Sequence, residues 1–298
     1  MNAANTELTT REVAEFHRAC LAWFDIHARE LPWRGNVSAW SVMVSEFMLQ
    51  QTPVARVLPV FEQWMARWPT PEALAAEAPG EAVRTWGRLG YPRRALRLHA
   101  AAQAIVEHHG GVVPDDIDAL RALPGVGDYT SAAIASFAYQ QSHVVLDTNV
   151  RRVFARVAGG TAYPASAVSA VERRLGETLK PLERADRWAI AVMELGALVC
   201  TSTSPDCPRC PVRDICRWRA LDYPAYDGPP RRGQTYAGTD RQVRGKLLAA
   251  LRDHEGPVTI DVLDATWHEA AQRRRALDSL VADGLVELVG DDLYGLPT

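Results

Sequence analysis

Residues 123–130 read LPGVGDYT, and this stretch decides what kind of helical protein the chain folds into. It lies between two segments of helical periodicity, and proline and glycine mark the places where helices stop. Glycine tolerates a positive φ and presents no Cβ to an approaching group, so a Pro-Gly-Val-Gly turn lets neighbouring backbone N–H groups point outward together. With a helix starting near Tyr129, those groups and the helix N-terminus form an anion site suited to a nucleic-acid phosphate, contacted without regard to base sequence. A plain helix–helix turn, with the glycines serving only geometry, fits the same residues. What surrounds the turn separates the two.

From about residue 10 to 220 the pattern is helical almost throughout, as in TREVAEFHRACLAWFDIHA, SAWSVMVSEFMLQQ and RRALRLHAAAQAIVEHHG. No run sustains alternation, so an all-α core is expected. A length of 298 residues allows two or more lobes, and 47% hydrophobic with 23% charged residues is an ordinary globular composition. The formal net charge of −3 supplies no global basic field, so any contact with DNA rests on local patches. Two arginine groups are candidates: Arg84, Arg88, Arg93, Arg94 and Arg97, then Arg151, Arg152 and Arg156. Each suits a solvated helix face as well as a local electropositive surface. The N-terminal MNAANTELTTREVAEF has no basic segment followed by an apolar run, and no stretch approaches the roughly 18 to 20 apolar residues of a membrane span. A cytoplasmic, reducing setting, a monomer and no membrane partner are expected.

Residues 1–222 read as one helical domain and 223–239, rich in Pro, Gly and Tyr, as a linker. Residues 240–298 show three helical segments followed by strand–turn–strand character in LVELVGDDLYGLP, the order of a winged-helix module. A helical appendage packed on the main domain fits them too.

Cysteine usage is uneven. Cys20 stands alone, whereas Cys200, Cys207, Cys210 and Cys216 form C-x6-C-x2-C-x5-C. Four thiolates this close wrap one inorganic centre, and soft sulfur suits zinc or an iron–sulfur cluster. Zinc ribbons bring two Cys-x-x-Cys pairs and only Cys207 and Cys210 make one here, so the spacing favours a 4Fe-4S cluster over zinc or free thiols. With no second cysteine set, a structural or DNA-positioning role fits better than electron transfer. Two carboxylates complete the set. Glu46 lies among Val42, Met43, Phe47 and Met48, which predicts a buried helix and suits a general acid, though a Glu on an exposed strip is the alternative. Asp147 follows an apolar stretch and precedes an amphipathic helix, where an N-cap is the plain expectation and a cap facing a cavity satisfies both roles.

From about Phe16 to Cys216 these features resemble, in order, the helix-hairpin-helix superfamily of DNA glycosylases, and within it the MutY-type adenine glycosylases. The resemblance is carried by LPWR (31–34), SEFMLQQT (45–52), LGY (89–91), LPGVGDYT, LDTNVRRV (146–153) and the cysteine loop introduced by MELGALVC. It implies a two-lobed all-α glycosylase with an iron–sulfur cluster loop at 200–216. Its partner would be double-stranded DNA with an adenine mispair, whose base is extruded because the glycosidic bond is inaccessible inside the stack. The implied reaction is removal of adenine opposite 8-oxoguanine or guanine. By motif position, Glu46 protonates adenine N7, Asp147 stabilises the positive deoxyribose, Asn149 partners that carboxylate and Tyr129 supports the site. A lysine in place of Tyr129 would attack the sugar as a Schiff-base nucleophile, so the tyrosine implies a monofunctional enzyme. Gln51 and Tyr91 match wedges into the duplex, Trp33, Arg34 and Leu49 the adenine pocket, and Gly125, Val126 and Gly127 the phosphate grip.

The chain departs from the pattern at Ile190, where Gln or Glu often meets the adenine edge, at Pro92 in place of a second tyrosine, and at Thr148 in place of glycine. It also has only about 60 residues after its linker, where many such enzymes carry a long MutT-like domain that reads 8-oxoguanine. A thymine glycosylase acting on T:G mismatches shares the cluster, the hairpin tyrosine and the aspartate; LQQT favours adenine and Ile190 loosens the base choice. A non-catalytic iron–sulfur DNA-binding regulator is the reading from another class, and it leaves Glu46 without a role.

Overall fold

A computed structural model describes residues 8–228 and 236–298, so residues 229–235 of the expected linker lie outside the described residues. In chain order the elements begin with α1 Thr10–His27, α2 Ala39–Leu49, α3 Val54–Arg67, α4 Pro71–Ala75, α5 Pro79–Trp86, α6 Arg93–His109 and α7 Ile117–Ala122. There follow α8 Asp128–Tyr139, α9 Thr148–Val157, α10 Ala170–Leu179, α11 Ala185–Leu198 and α12 Arg217–Ala220. The last are α13 Asp240–Asp253, β1 Val258–Thr259, α14 Ile260–Asp264, α15 Ala270–Ala282, β2 Glu287–Gly290 and β3 Leu293–Gly295. Among the described residues no helix is long and apolar enough to cross a membrane. The chain divides into two units: the described residues up to Val37 with those from Gly127 to 228, and Ser38–Val126 with residues 236–298. The region 1–222 is therefore shared between both, and the boundary falls within LPGVGDYT.

In the first unit α1 opens with a capping box, Thr9 Oγ1 accepting from the Glu12 N–H at 3.3 Å and the Glu12 carboxylate accepting from the Thr9 N–H at 2.7 Å. Its buried face, Phe16, Cys20, Trp23 and Phe24, packs with α9 and α11. Trp188 of α11 is the centre, meeting Phe16 edge-on at 5.4 Å and stacking with Phe154 of α9 at 5.8 Å. Cys20 is fully buried among the apolar side chains of this core and packs there as a small hydrophobic residue. A Cβ at Gly196 would stand 2.7 Å from the Asn149 Cβ, so only glycine lets α9 and α11 approach this closely.

In the second unit every residue of α2 from Trp40 to Met48 is buried, as a helix apolar nearly all round requires. Trp64 meets Trp68 and Trp86 edge-on at 4.7 and 5.6 Å and ties α3 to α5. Residues 240–298 pack their helices around Val243, Leu247, Leu251, Leu263, Leu277 and Leu280. Their antiparallel sheet has the order β1-β3-β2, with an irregularity between Leu288 and Gly290. The second helical segment expected here, VTIDVLDATWH, is shorter than its pattern. Val258 and Thr259 pair with Tyr294 and Leu293, and the helix keeps only Ile260–Asp264. β-Branched residues after Gly256-Pro257 take the extended form once a partner strand is present.

Candidate functional site

The turn is built as its glycines demand. Gly125 has φ +79°, and a Cβ there would come within 2.8 Å of the Arg97 Cβ and 2.9 Å of the Phe47 ring. Gly127 is the N-cap of α8, which begins at Asp128, one residue earlier than expected, with the Ser131 N–H donating to the Gly127 carbonyl at 2.9 Å. Val126 turns inward: its side chain is buried and its N–H donates to the Leu123 carbonyl at 3.1 Å. The exposed residues of the turn are Gly125 and Gly127, whose N–H groups make no hydrogen bond among the described residues.

Glu46 is buried on α2, and the helix ends on Leu49, which is half-buried. Beyond it Gln51 is exposed with φ +56°. The organiser of this end is Arg94, which the sequence reading placed only in a surface group. It is buried, and Nη1 donates to the carbonyls of Phe47, Met48 and Gln50 at 2.8, 3.0 and 2.6 Å. Nη2 donates to Thr52 Oγ1 at 2.9 Å and to the Gly90 carbonyl at 3.0 Å. One guanidinium thus satisfies the orphan carbonyls of α2 and binds the Gln51 loop to the Tyr91 loop. Burial brings its pKa down to about 10. Tyr91 is exposed, has φ +48°, and its ring lies 5.5 Å from that guanidinium. A signal was available: position 94 falls on the same helical stripe as Leu98, Ala101, Ala102 and Ile105, all buried.

In the first unit Asp147 is the N-cap of α9, accepting from the Val150 N–H at 2.6 Å, and its other oxygen accepts from Asn149 Nδ2 at 2.7 Å. Asn149 Oδ1 accepts from Arg152 Nη2 at 2.8 Å; Arg152 also donates to the Gly196 carbonyl at 2.6 Å and, through Nε, to the Cys200 carbonyl at 2.7 Å. Burial raises the Asp147 pKa above its ordinary value, opposed by the bonds from Val150 and Asn149 and by the Arg152 charge. Tyr129 lies half-buried in the first turn of α8, and Trp33 is buried.

Arg34 is held by a residue the sequence reading did not single out. Glu194 of α11 is fully buried and receives Arg34 Nη2 at 2.7 Å together with Arg29 Nε and Nη2, both at 2.7 Å. Burial opposes its ionisation, but the bonds from Arg29 and Arg34 outweigh that and hold the carboxyl at about 2. The signal was the one used for Glu46, a glutamate inside an apolar helix.

The second arginine group is also internal. Arg151 pairs with Glu172, and Arg152 and Arg156 are buried. Arg156 donates to Cys200 Sγ at 3.2 Å and to the carbonyls of Thr201 and Ser202 at 2.8 and 3.1 Å, with its guanidinium 4.6 Å from the Trp218 ring. Neither DNA surface nor solvated face describes these two side chains. They hold the cysteine loop.

Cys200, Cys207, Cys210 and Cys216 are unbridged and line one cavity with Val153 and Leu195. Burial first, and then the neighbouring Cys200, Cys216 and Cys207, push the Cys210 thiol up to about 12 against the opposing Val212 N–H. Four cysteine sulfurs on one cavity fit a metal centre, whose positive charge would favour their thiolate forms. Among the described residues no three ligand-type side chains converge on a single ion.

The chain matches the HhH-GPD superfamily of base excision DNA repair proteins over residues 44–181. It is 54% identical to the adenine DNA glycosylase of Mycobacterium tuberculosis, over 93% of this chain and 92% of that protein. In fold it is similar to a thermostable thymine-DNA glycosylase, with TM-score 0.66 and 24% identity over 71% of this chain and 98% of the other. It is also similar to endonuclease III trapped in a covalent DNA intermediate, with TM-score 0.62 and 24% identity over 72% and 99%. The relative from M. tuberculosis aligns over 282 residues, well beyond the Phe16 to Cys216 span of the motifs.

Proposed function

The chain belongs to the adenine DNA glycosylases of the HhH-GPD superfamily, and from that premise we propose that it removes adenine mispaired with 8-oxoguanine or guanine in double-stranded DNA. Glu46 gives its proton to adenine N7, which makes the base a neutral leaving group as the C1′–N9 bond breaks. Asp147, ionised, faces the positive charge that develops on the deoxyribose, and water then adds to C1′ and releases a proton. The observation that carries this division is the pair of environments. Glu46 is buried on a helix that is apolar nearly all round, whereas Asp147, whose burial raises its pKa, sits at a helix N-terminus where the Val150 N–H and Asn149 Nδ2 donate to its carboxylate and oppose that rise.

Asn149 holds the Asp147 carboxylate, and Tyr129, a phenol that forms no imine, leaves the product at the abasic stage. Gln51 and Tyr91, both in the left-handed backbone region at loops joined by Arg94, act as wedges that fill the space left by the extruded base. Trp33 and Leu49 line the adenine pocket. Arg34 acts there through its bond to Glu194, which fixes the guanidinium plane. Gly125 and Gly127 grip a backbone phosphate. Cys200, Cys207, Cys210 and Cys216 hold a 4Fe-4S cluster, which would give the 200–216 loop a fixed shape; the spacing, with a single Cys-x-x-Cys pair, supports it over zinc. The order helix, strand, helix, helix, strand, strand in residues 240–298 supports a winged-helix reading of that module.

Membership of a glycosylase family sets aside the non-catalytic regulator. The thymine reading rests on the cluster, the hairpin tyrosine and the aspartate together with Ile190, and the likeness to a thymine-DNA glycosylase adds only a shared fold. Fluorescent duplexes with A:8-oxoguanine, A:G, A:C and T:G test the proposal. Adenine release, with strand breakage only after hot alkali, is expected; release of thymine, or breakage without alkali, would overturn it.

A further inference from the structure

Residues 240–298 have the element order of a DNA-reading module but not its charge. They carry seven Lys and Arg against eleven Asp and Glu. The three consecutive arginines of α15 are each engaged within the module: Arg273 with Asp264 at 2.6 Å, Arg274 with Asp278 at 3.5 Å and Arg275 with Asp240 at 3.3 Å. A surface that draws phosphate needs unneutralised cations, and α15 offers few.

What the module does have is a bonded contact with both ends of α5. At the start of α5 the Gly80 N–H donates to the Pro297 carbonyl at 2.7 Å, and a Cβ on Gly80 would come within 2.4 Å of that oxygen. At its end Arg84, oriented by Glu81 at 2.9 Å, donates to the carbonyls of Leu251, Arg252 and His254 and so caps the C-terminus of α13. Arg252 answers by donating to the carbonyl of Gly87, the C-cap of α5 with φ +54°. Arg93, at the start of α6, pairs with Asp283 at 3.2 Å.

Between α5 and α6 runs the loop Gly87–Tyr91, and the carbonyls of Gly87, Leu89 and Gly90 are each held. Arg252 takes Gly87, Thr52 Oγ1 takes Leu89 at 3.3 Å, and Trp86 Nε1 and Arg94 take Gly90, both at 3.0 Å. Tyr91 sits at φ +48°, a region costing a residue with a Cβ roughly 1–2 kcal/mol and kept only where the surroundings over-determine it. One of those determinants comes from the module.

We propose that residues 240–298 brace the Gly87–Tyr91 loop and thereby set the Tyr91 wedge for base extrusion, with Arg84 and Arg252 as positioning residues. The proposal rests on the reading of Tyr91 as a wedge. It is tested on the full chain with an A:8-oxoguanine duplex carrying 2-aminopurine beside the target adenine, whose fluorescence reports extrusion independently of bond cleavage. Arg252→Ala should slow extrusion about 10- to 100-fold, the scale of a mispositioned group, with a smaller change in duplex affinity. In a Tyr91→Ala background the same substitution should have no further effect, and Arg252→Lys should restore part of the rate. Equal slowing in both backgrounds, or none in either, would overturn the brace. Should Arg252→Ala fail to fold, Arg252→Gln and Arg84→Gln carry the same cycle. A chain that extrudes the base but releases no adenine would count against the proposed reaction and leave the brace standing.

Discussion

Two glutamates lie inside apolar helices, Glu46 on α2 and Glu194 on α11, and their surroundings give them different work. Glu194 is locked as an anion by two arginines, so its stability contribution is complete above its ordinary value of 4.5 and is lost as pH falls towards about 2. Glu46→Gln keeps the size of the side chain and removes the proton; adenine release should fall by about 100- to 10,000-fold with duplex binding retained, measured in single turnover. Undiminished release would remove Glu46 from its role. Asp147 carries the pH dependence. Its pKa is raised, so the folded chain holds that proton at pH values where the unfolded chain has lost it. This costs stability as pH rises through the window above 3.8, and in the proposed reaction it is expected to set the acidic limb of the activity profile. Asn149→Ala removes a donor to the ionised form and Arg152→Ala a nearby positive charge. Both should move that limb to higher pH, read from pH–rate profiles; a limb that stays in place would show that another group sets it.

At the scale of elements, the site depends on how helices end. α2 delivers Glu46, yet its last carbonyls are satisfied by Arg94 on α6, and the same guanidinium fixes the Gly90 carbonyl before Tyr91. α8 begins on the glycine turn rather than on a side-chain cap. Gly125→Ala should therefore destabilise the fold by at least about 1–2 kcal/mol, since alanine meets both a positive φ and the crowded Arg97 and Phe47 side chains. Thermal unfolding and duplex binding check this together. Retained stability with weakened binding would assign the glycine to phosphate contact alone, and loss of neither would reduce the stretch to an ordinary turn. The helix positions were legible from apolar periodicity. The role of Arg94 was not, because a charge on an apolar stripe announces burial without naming its partners.

At the scale of the molecule, a net charge of −3 supplies no global basic field and Arg94, Arg152 and Arg156 turn inward, so DNA binding rests on backbone groups and on local exposed cations such as Arg88 and Arg97. The cysteine loop is a further piece of global order, fastened to α9 by Arg152 and Arg156. Protein purified without oxygen should hold ~4 iron atoms per chain, and Cys210→Ser should lose iron and lower the unfolding temperature. Zinc in place of iron would overturn the cluster. Motif spacing was enough to pick out the glycine turn, the four cysteines, the buried glutamate and the capping aspartate, because each depends on residues close in the chain. Glu194 with Arg34, Arg94 with the ends of two loops, and Arg252 with Gly87 were decided only by the tertiary structure. Arg34 with Glu194, Arg94 with the Gln50 carbonyl and Arg252 with Gly87 each join residues about 40 or more positions apart, a separation at which local patterns fall silent and only packing determines which buried cation meets which carbonyl or carboxylate.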